Sequence, residues 1–556
     1  MRHPISRRRV LAGLAGAATL PFTGCASNAD KPRGPEGVFA HGVASGDPDQ
    51  HSVVLWTHLS TPESAASGRW LVARDPECRD VVKRGDFSTS VARDMTVKVL
   101  VDGLSAGQRY YYRFEYAGEQ SLVGRTLTLA DGYLERLGIA VASCSNYPFG
   151  YFNAYEMIAR DPEVDIVLHL GDYLYEYGPD GYGGETGKLL GRPHQPPREI
   201  LTLDDYRERH AQYKGDPQSR AMHAAHPLIA LWDDHESANN PWTDGAQNHQ
   251  PEEGDWGARR SASLQAYYEW MPVREPQPGM RRDQRWGHYR CGDLASLVTL
   301  ETRHTARARQ IEYHEHPDAL ASPEAAQAFM RDVVGAPGRR MLSDEMEAFL
   351  DTSLRESVSA GRPWRLIGNQ IPMARTHTPR LADSDVAALG ITEDNPRYAD
   401  YQRFRRVGEL GLPLYLDPWD GYPWARERFY AGCRAAGASD LLVLTGDSHS
   451  FWQNQLFSAE GVAMGVELGT TGITSPADFA DFGPAGAALM DGLLAQQNPE
   501  ILWTEGVTHG YIRLVLEREA AEVEYVGVSN IATRDFHPVS VRRTRVLRRD
   551  GTLAFA

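Results

Sequence analysis

Residues 164–175 read Val164-Asp-Ile-Val-Leu-His-Leu-Gly-Asp-Tyr-Leu-Tyr175, and the rest of the chain can be placed around them. The stretch 164–170 is short, β-branched and largely apolar, the composition of a strand covered on both faces, and it stops at Gly171. Asp172 is thereby delivered to the strand's carboxyl end, where open α/β sheets gather ligand-binding loops. Tyr175 follows three residues on, so one turn beyond the strand aims a carboxylate and a phenol at a common point. That donor pair suits a hard, highly charged cation better than a packed core. Taken alone, Gly-Asp after a strand equally describes a loop aspartate capping the next turn. The other strand ends decide between the two.

Beyond Leu137 a strand, loop and helix pattern recurs, and each apolar run ends in ligand-type or phosphate-type residues. Residues 138–142 lead to Ser143-Cys144-Ser145, with a helix expected over 151–160. The run 227–232 leads to Asp233-Asp234-His235-Glu236, 294–300 to Glu301-Thr302-Arg303, 364–368 to Asn369-Gln370, and 440–445 to Gly446-Asp447-Ser448-His449. If the chain stays extended past Thr445, Asp447 and His449 point to the same side. Asp234 offers a carboxylate, and His235 beside it an imidazole for proton transfer. A lone Cys144 would read as an inert core thiol, but its place at a strand end parallel to that of Asp172 favours a ligand. His169, inside its strand, reads as a hydrogen-bonded core histidine. The long segments 178–209 and 239–260 read as rim loops, and 513–525 as late strands closing a second sheet.

The chain has 556 residues and a formal charge of −16, which disfavours a nucleic-acid-coating role and makes a negatively charged substrate dependent on a local positive centre. A metal supplies one. Residues 1–25 read as an export signal: Ser6-Arg-Arg-Arg-Val-Leu11, then an uncharged run over 10–22 too short to span a bilayer. The paired arginines resemble a twin-arginine (Tat) signal, which implies export of a folded, cofactor-loaded protein; a plain Sec signal is the alternative. Phe22-Thr-Gly-Cys25 resembles a lipobox, with Phe22 in place of the usual Leu, so Cys25 is either a lipidation site or part of a simple cleavage region. Residues 26–37 are a linker by composition. Over 38–131, short β-type runs at 52–57, 69–73, 95–101, 110–116 and 124–129 predict a small N-terminal β-sandwich domain. The remaining cysteines, Cys78, Cys144, Cys291 and Cys433, are too dispersed for a disulfide scaffold or a CxxC zinc site.

Five motifs, in order, carry a resemblance: Ser143-Cys144-Ser145-Asn146-Tyr147, Gly171-Asp172-Tyr173-Leu174-Tyr175-Glu176, Trp232-Asp233-Asp234-His235-Glu236, Trp419-Asp420-Gly421-Tyr422-Pro423 and Gly446-Asp447-Ser448-His449. Together with His41-Gly42-Val43-Ala44-Ser45-Gly46-Asp47-Pro48 they resemble the PhoD family of alkaline phosphatases and phosphodiesterases. The resemblance implies a four-layer αββα metallophosphoesterase sandwich over 132–556, behind the β-sandwich, with an Fe(III)/Ca(II) centre like that of purple acid phosphatases. Carried onto this chain, the iron ligands are Cys144, Asp172, Tyr175 and His449. Asp172 and Asp447 face calcium, completed from 234–240 by Asp234, Asn239 or Asn240; Asn240 with Asp234 behind it is preferred. Thiolate, phenolate and carboxylate together favour a trivalent ion over zinc, and calcium takes oxygen-only ligands. Other divalent metals, such as Zn2+ or Mn2+, are the alternative.

The expected reaction is hydrolysis of a phosphate ester by a metal-bound hydroxide, with no protein nucleophile. His235 is expected to contact the phosphate or protonate the leaving oxygen. Arg303 is a second catalytic candidate, although the family's Asp-Thr-Arg-Gln pattern reads Glu301-Thr302-Arg303-His304 here. A surface salt bridge is the other reading of Arg303. The expected protein is an exported periplasmic or cell-surface monomer with the Tat machinery as partner and a lipid anchor through Cys25. One rival is a phospholipase D-type phosphodiesterase. The other is a non-catalytic surface protein that binds phosphorylated polymers.

Overall fold

The strand read at 164–170 forms over Ile166–His169, every residue of it buried. Its two neighbours, Leu137–Ala142 and Leu228–Ala230, run parallel to it. The computed structural model describes residues 37–549 and 551–556. The export signal, Cys25 and the linker up to residue 36 lie outside the described residues.

Two sheets face each other. The first has ten strands, in the order Thr552–Phe555, Pro538–Arg549, Ala520–Val528, His509–Leu516, Leu137–Ala142, Ile166–His169, Leu228–Ala230, Val43–Gly46, Val53–His58 and Thr96–Val101. The second has seven, and its parallel centre is Ala295–Thr299, Trp364–Gly368, Leu441–Thr445 and Ala463–Gly469. Side chains alternate across each strand and so divide between two cores. Ile139, Val141, Leu168, Leu366, Leu442 and Leu444 fill the space between the sheets. On the outer face of the first sheet, Ala140, Ala142 and Val167 pack under Phe152, Tyr155 and Ile158, which belong to or adjoin the helix Asn153–Arg160. On the outer face of the second, Ile367, Leu441 and Val443 pack under Met346 and Leu350 of the helix Asp344–Ser359 and Phe429 of the helix Pro423–Ala435. The result is the expected αββα order of layers.

Three expectations change. The late strands His509–Leu516 and Ala520–Val528 do not close the second sheet; His509–Leu516 pairs antiparallel with Leu137–Ala142 and extends the first. The segments 178–209 and 239–260 are not loops throughout, because they contain the helix Gly184–Leu190 and the starts of the helices Leu203–Gly215 and Trp256–Trp270. The N-terminal β-sandwich shares a layer with its neighbour. Val43–Gly46 pairs with Leu228–Ala230 at Gly46 and Leu228, so that layer continues the ten-stranded sheet. A Cβ on Gly46 would meet the Pro272 and Leu228 carbonyl oxygens at 2.3 and 2.5 Å, which is why glycine stands at the join. The other layer has five strands and includes Val81–Ser90, whose polar side chains hide it from an apolar-run reading. Val53, Leu55, Val72, Tyr112 and Phe114 fill the space between the two layers. Among the described residues no helix is long and apolar enough to cross a membrane.

Candidate metal centre

The carboxyl ends of strands from both sheets meet at one point. In the first sheet the Cys144 N–H donates to the Gly171 carbonyl at 3.2 Å and the Ser145 N–H to the Asp172 carbonyl at 2.9 Å. Across the gap between sheets, a Cβ on Gly446 would lie 2.6 Å from Ser143 Oγ, and within the first sheet one on Gly171 would lie 2.4 Å from the Asp233 backbone nitrogen. Glycine precedes each aspartate because strand ends crowd together there. Gly171, at φ +101°, also has a conformation that side chains disfavour.

Five candidate ligands have left-handed backbones: Cys144 (φ 60°), Asp172 (55°), Asn240 (48°), Asp447 (61°) and His449 (59°). Such a conformation costs about 1–2 kcal/mol at a non-glycine residue and persists where the surroundings enforce it. This corrects the expected extended chain past Thr445. Asp447 and His449 are aimed by two left-handed residues flanking Ser448, whose N–H donates to the Gly446 carbonyl at 2.7 Å.

Donor atoms of Cys144, Asp172 and His449 lie within 4.8 Å of one another, and all three residues are buried. The Tyr175 hydroxyl donates to Asp172 Oδ2 at 2.9 Å, lies 3.4 Å from His449 Nε2 and accepts from Ser475 Oγ at 2.7 Å. His449 Nδ1 is 2.8 Å from the Pro476 carbonyl; with the proton there, Nε2 offers its lone pair to the cluster. Two further groups meet the same limit: Asp172, Asp234 and His235, and Asp233, Asp234 and Asp447. Asp172 belongs to the first two groups and Asp234 to the last two, so the donors form one chain with a thiolate and imidazole at one end and oxygens at the other. That donor set fits two adjoining cations of different hardness.

Asn240 donates its backbone N–H to Asp234 Oδ2 at 3.0 Å. Asn239 is engaged differently: its side-chain amide donates to Gln247 and its N–H to Glu176. His235 stacks on Tyr175 with ring centroids 4.1 Å apart, and its Nδ1 is 2.5 Å from Glu176 Oε2. Its Nε2 makes no hydrogen bond and lies 3.7 Å from Asp234 Oδ2, facing the donors. Burial works against a charged Glu176, but the His235 imidazole beside it holds the carboxyl below its ordinary pKa.

Arg303 is fully buried, which removes the surface reading. Its Nε donates to Asp233 Oδ1 at 2.5 Å and its Nη1 to Asp417 at 3.0 and 3.1 Å, while Nη2 stands 3.9 Å from Asp234 and 3.6 Å from Asp447. Burial disfavours its charge, yet the surrounding carboxylates Asp233, Asp417 and Asp234 hold its pKa well above the ordinary value. Glu301, where the family pattern has Asp, accepts the N–H groups of Arg303, His304 and Thr305 at 2.9, 2.8 and 2.9 Å, fixing the turn that carries the guanidinium inward.

The sequence reading passed over Glu236, Glu176, Asp233, Asp417 and Ser475. Glu236 binds the strand ends together by accepting the N–H groups of Asp172, Tyr173 and Asp233, and burial pushes its carboxyl up to about 7. Glu176, Asp233 and Glu236 lie inside quoted motifs, so adjacency to a ligand was an available signal. Ser475 lies 300 positions from the tyrosine it touches and had none.

Residues 139–525 match the PhoD-like phosphatase family, and residues 24–130 match its N-terminal domain. The chain belongs to the PhoD-like phosphatase family. It is 34% identical over 534 residues to alkaline phosphatase D of Bacillus subtilis (strain 168), covering 92% of this chain and 81% of that one. A solved structure of PhoD superposes with a TM-score of 0.75 at 31% identity, over 93% of this chain and 92% of the other. A purple acid phosphatase from yellow lupin (Lupinus luteus) seeds shares the fold, with a TM-score of 0.51 at 10% identity over 90% and 74% of the two chains. As a PhoD-like phosphatase the chain is a phosphoric ester hydrolase with the metallophosphoesterase fold.

Proposed function

We propose that this PhoD-like enzyme hydrolyses both phosphomonoesters and phosphodiesters at an Fe(III)/Ca(II) pair. The observation that carries the reading is the sharing of Asp172 between a Cys144, Asp172 and His449 group and an Asp172, Asp234 and His235 group. Cys144, Asp172, Tyr175 and His449 would hold the trivalent ion, and Asp172, Asp234, Asn240 and Asp447 the calcium. When bound, the two cations supply the positive charge that an anionic ester requires and lower the pKa of a water. In the balanced reaction the water oxygen bonds to phosphorus, the ester P–O bond breaks, and a proton passes to the departing alkoxide. His235 Nε2 faces the donors without a hydrogen-bond partner and is the group placed to hold or deliver that proton. Arg303 lies behind Asp233, Asp234 and Asp447 and balances their charge, acting as a positioning residue. Turnover of nitrophenyl phosphate and of bis-nitrophenyl phosphate, each lost on chelation and regained on adding iron and calcium, tests the reading; a chelator-resistant activity would reject it.

The proposal includes export in the folded state through the twin-arginine signal, with Cys25 as lipid anchor. Fractionation of cells expressing the chain with Arg7→Lys and Arg8→Lys tests the first part, and metabolic lipid labelling of Cys25→Ala the second.

A further inference from the structure

We propose that the cavity beside the metal centre receives an extended apolar alcohol moiety of the phosphate ester substrate. This rests on the hydrolase reading and adds to it the class of ester. The cavity has a volume of about 160 Å³ and begins at Asn240 and Asp417. Both residues belong to the surroundings of the centre: Asn240 donates its backbone N–H to Asp234 Oδ2, and Asp417 pairs with Arg303. From there the walls become apolar, with Leu381, Leu389, Phe404, Phe479, Phe482 and Met490 gathered around the far side. They come from in or beside the helices Asp383–Ala388, Tyr398–Glu409 and Gly483–Gln497.

Close-packed interiors do not ordinarily leave a space of this size between aliphatic and aromatic side chains. Ligand sites, in contrast, combine apolar walls with a few polar groups at one end. The walls name the occupant. The charged groups at the rim are already engaged with one another, Asp417 with Arg303 and Arg307 and Asp400 with Arg403. A neutral alkyl or aryl chain matches the apolar side chains beyond them, whereas a second anionic group would lose its hydration against those walls. With the phosphoryl group at the donors of the centre, such a chain leads away past Asn240.

The test is a series of n-alkyl phosphates from methyl to octyl, with phosphate release followed using the metal-loaded enzyme. kcat/KM is expected to rise by about fourfold per methylene over the first members and to level off as the space fills. Leu389→Trp is expected to bring the octyl-to-methyl ratio close to one. Ile391→Trp, at the partly exposed rim, provides the same reading if the deeper substitution prevents folding. A flat series in the wild type, or a chain-length dependence unchanged in both variants, overturns the proposal. Calorimetry with n-alkylphosphonates separates the two readings. If no ester is turned over but phosphonate affinity still rises with chain length and collapses in the variants, the hydrolase reading fails and the cavity assignment stands.

Discussion

Glu236 and Asp172 come from adjacent strand ends, and the Glu236 carboxylate accepts the Asp172 backbone N–H at 3.0 Å. The same carboxylate takes the N–H groups of Tyr173 at 2.7 Å and Asp233 at 2.8 Å. One buried side chain therefore fixes the backbones of two carboxylates in the donor chain. Glu236→Gln replaces an acceptor oxygen by a donor and sets it against N–H groups, leaving at least one buried donor unpaired. We expect metal affinity to fall by about 10- to 100-fold and stability by about 1–3 kcal/mol. Metal titration and urea unfolding read the two effects separately.

Arg303→Met removes the cation among Asp233, Asp417, Asp234 and Asp447 while keeping most of the side-chain volume. Buried carboxylates left without their partner are strongly unfavourable, and a loss of about 3–5 kcal/mol is expected. Arg303→Lys is expected to recover little, because an ammonium cannot span Asp233 and Asp417 as the guanidinium fork does. Equilibrium unfolding of the two variants gives the comparison; a fully stable Arg303→Lys protein would contradict it.

Tyr175 is the donor whose loss should be seen by eye. A tyrosinate bound to ferric iron gives a visible charge-transfer band, so enzyme taken from its own host should be coloured. Tyr175→Phe should bleach it without unfolding the protein, and Cys144→Ser should lower iron retention. Absorption spectra with metal analysis check this, and a colourless zinc enzyme would refute the iron assignment.

Acid sensitivity should arise in part from a histidine pair outside the candidate ligand set. His41 and His58 face each other with Nδ1 atoms 3.0 Å apart, and His58 stacks on Trp270 with centroids 4.9 Å apart. Burial pushes the His41 pKa down to about 4 and the His58 pKa down to about 3, from 6.5. The unfolded chain binds these protons first, so the stability linked to the pair is complete above pH 6.5 and is lost as the pH falls towards the folded values. At pH 5 the loss is at most about 2 kcal/mol per histidine. His58→Phe keeps the stack and removes one titrating group. Between pH 7.5 and pH 5 its unfolding free energy should fall by less than that of the wild type, as read from urea midpoints.

The central parallel strands and their ends were legible because each is an apolar run closed by glycine or by a polar cluster, as at Leu170 and Gly171, whereas polar strands such as Val81–Ser90 and Pro538–Arg549 were not. The four layers follow from the same alternation, since Leu442 and Val443 face different cores. Sheet membership was not legible: Ile512 and Leu514 alternate equally well for either sheet, and only pairing with Leu137–Ala142 assigns them. Cys144, Asp172 and His449 could each be proposed as ligands from their strand ends, and the family resemblance is what grouped them on one ion. What aims them could not be proposed, because left-handed backbone at a cysteine, an aspartate and a histidine has no signature in residue type. Asp417 escaped because its partners Arg303 and Arg307 are distant in the chain and spacing does not reveal them, whereas Glu236 stood beside a ligand in a quoted motif. The apolar cavity escaped because its walls come from helices separated by roughly 80 residues of chain, beyond the reach of any local periodicity.

The pairing of Gly46 with Leu228 ties the order of synthesis to the order of assembly. The strand Val43–Gly46 is made early, yet the edge it adds to is made roughly 180 residues later, a long-range contact of the kind that slows folding. Until then its backbone groups on that side have no partner, and a fragment ending near residue 130 would present them as an open edge prone to aggregation. Cutting the chain between its two family segments should therefore give two insoluble pieces, and any cellular holding factor would have to guard the nascent chain until residue 230 has emerged.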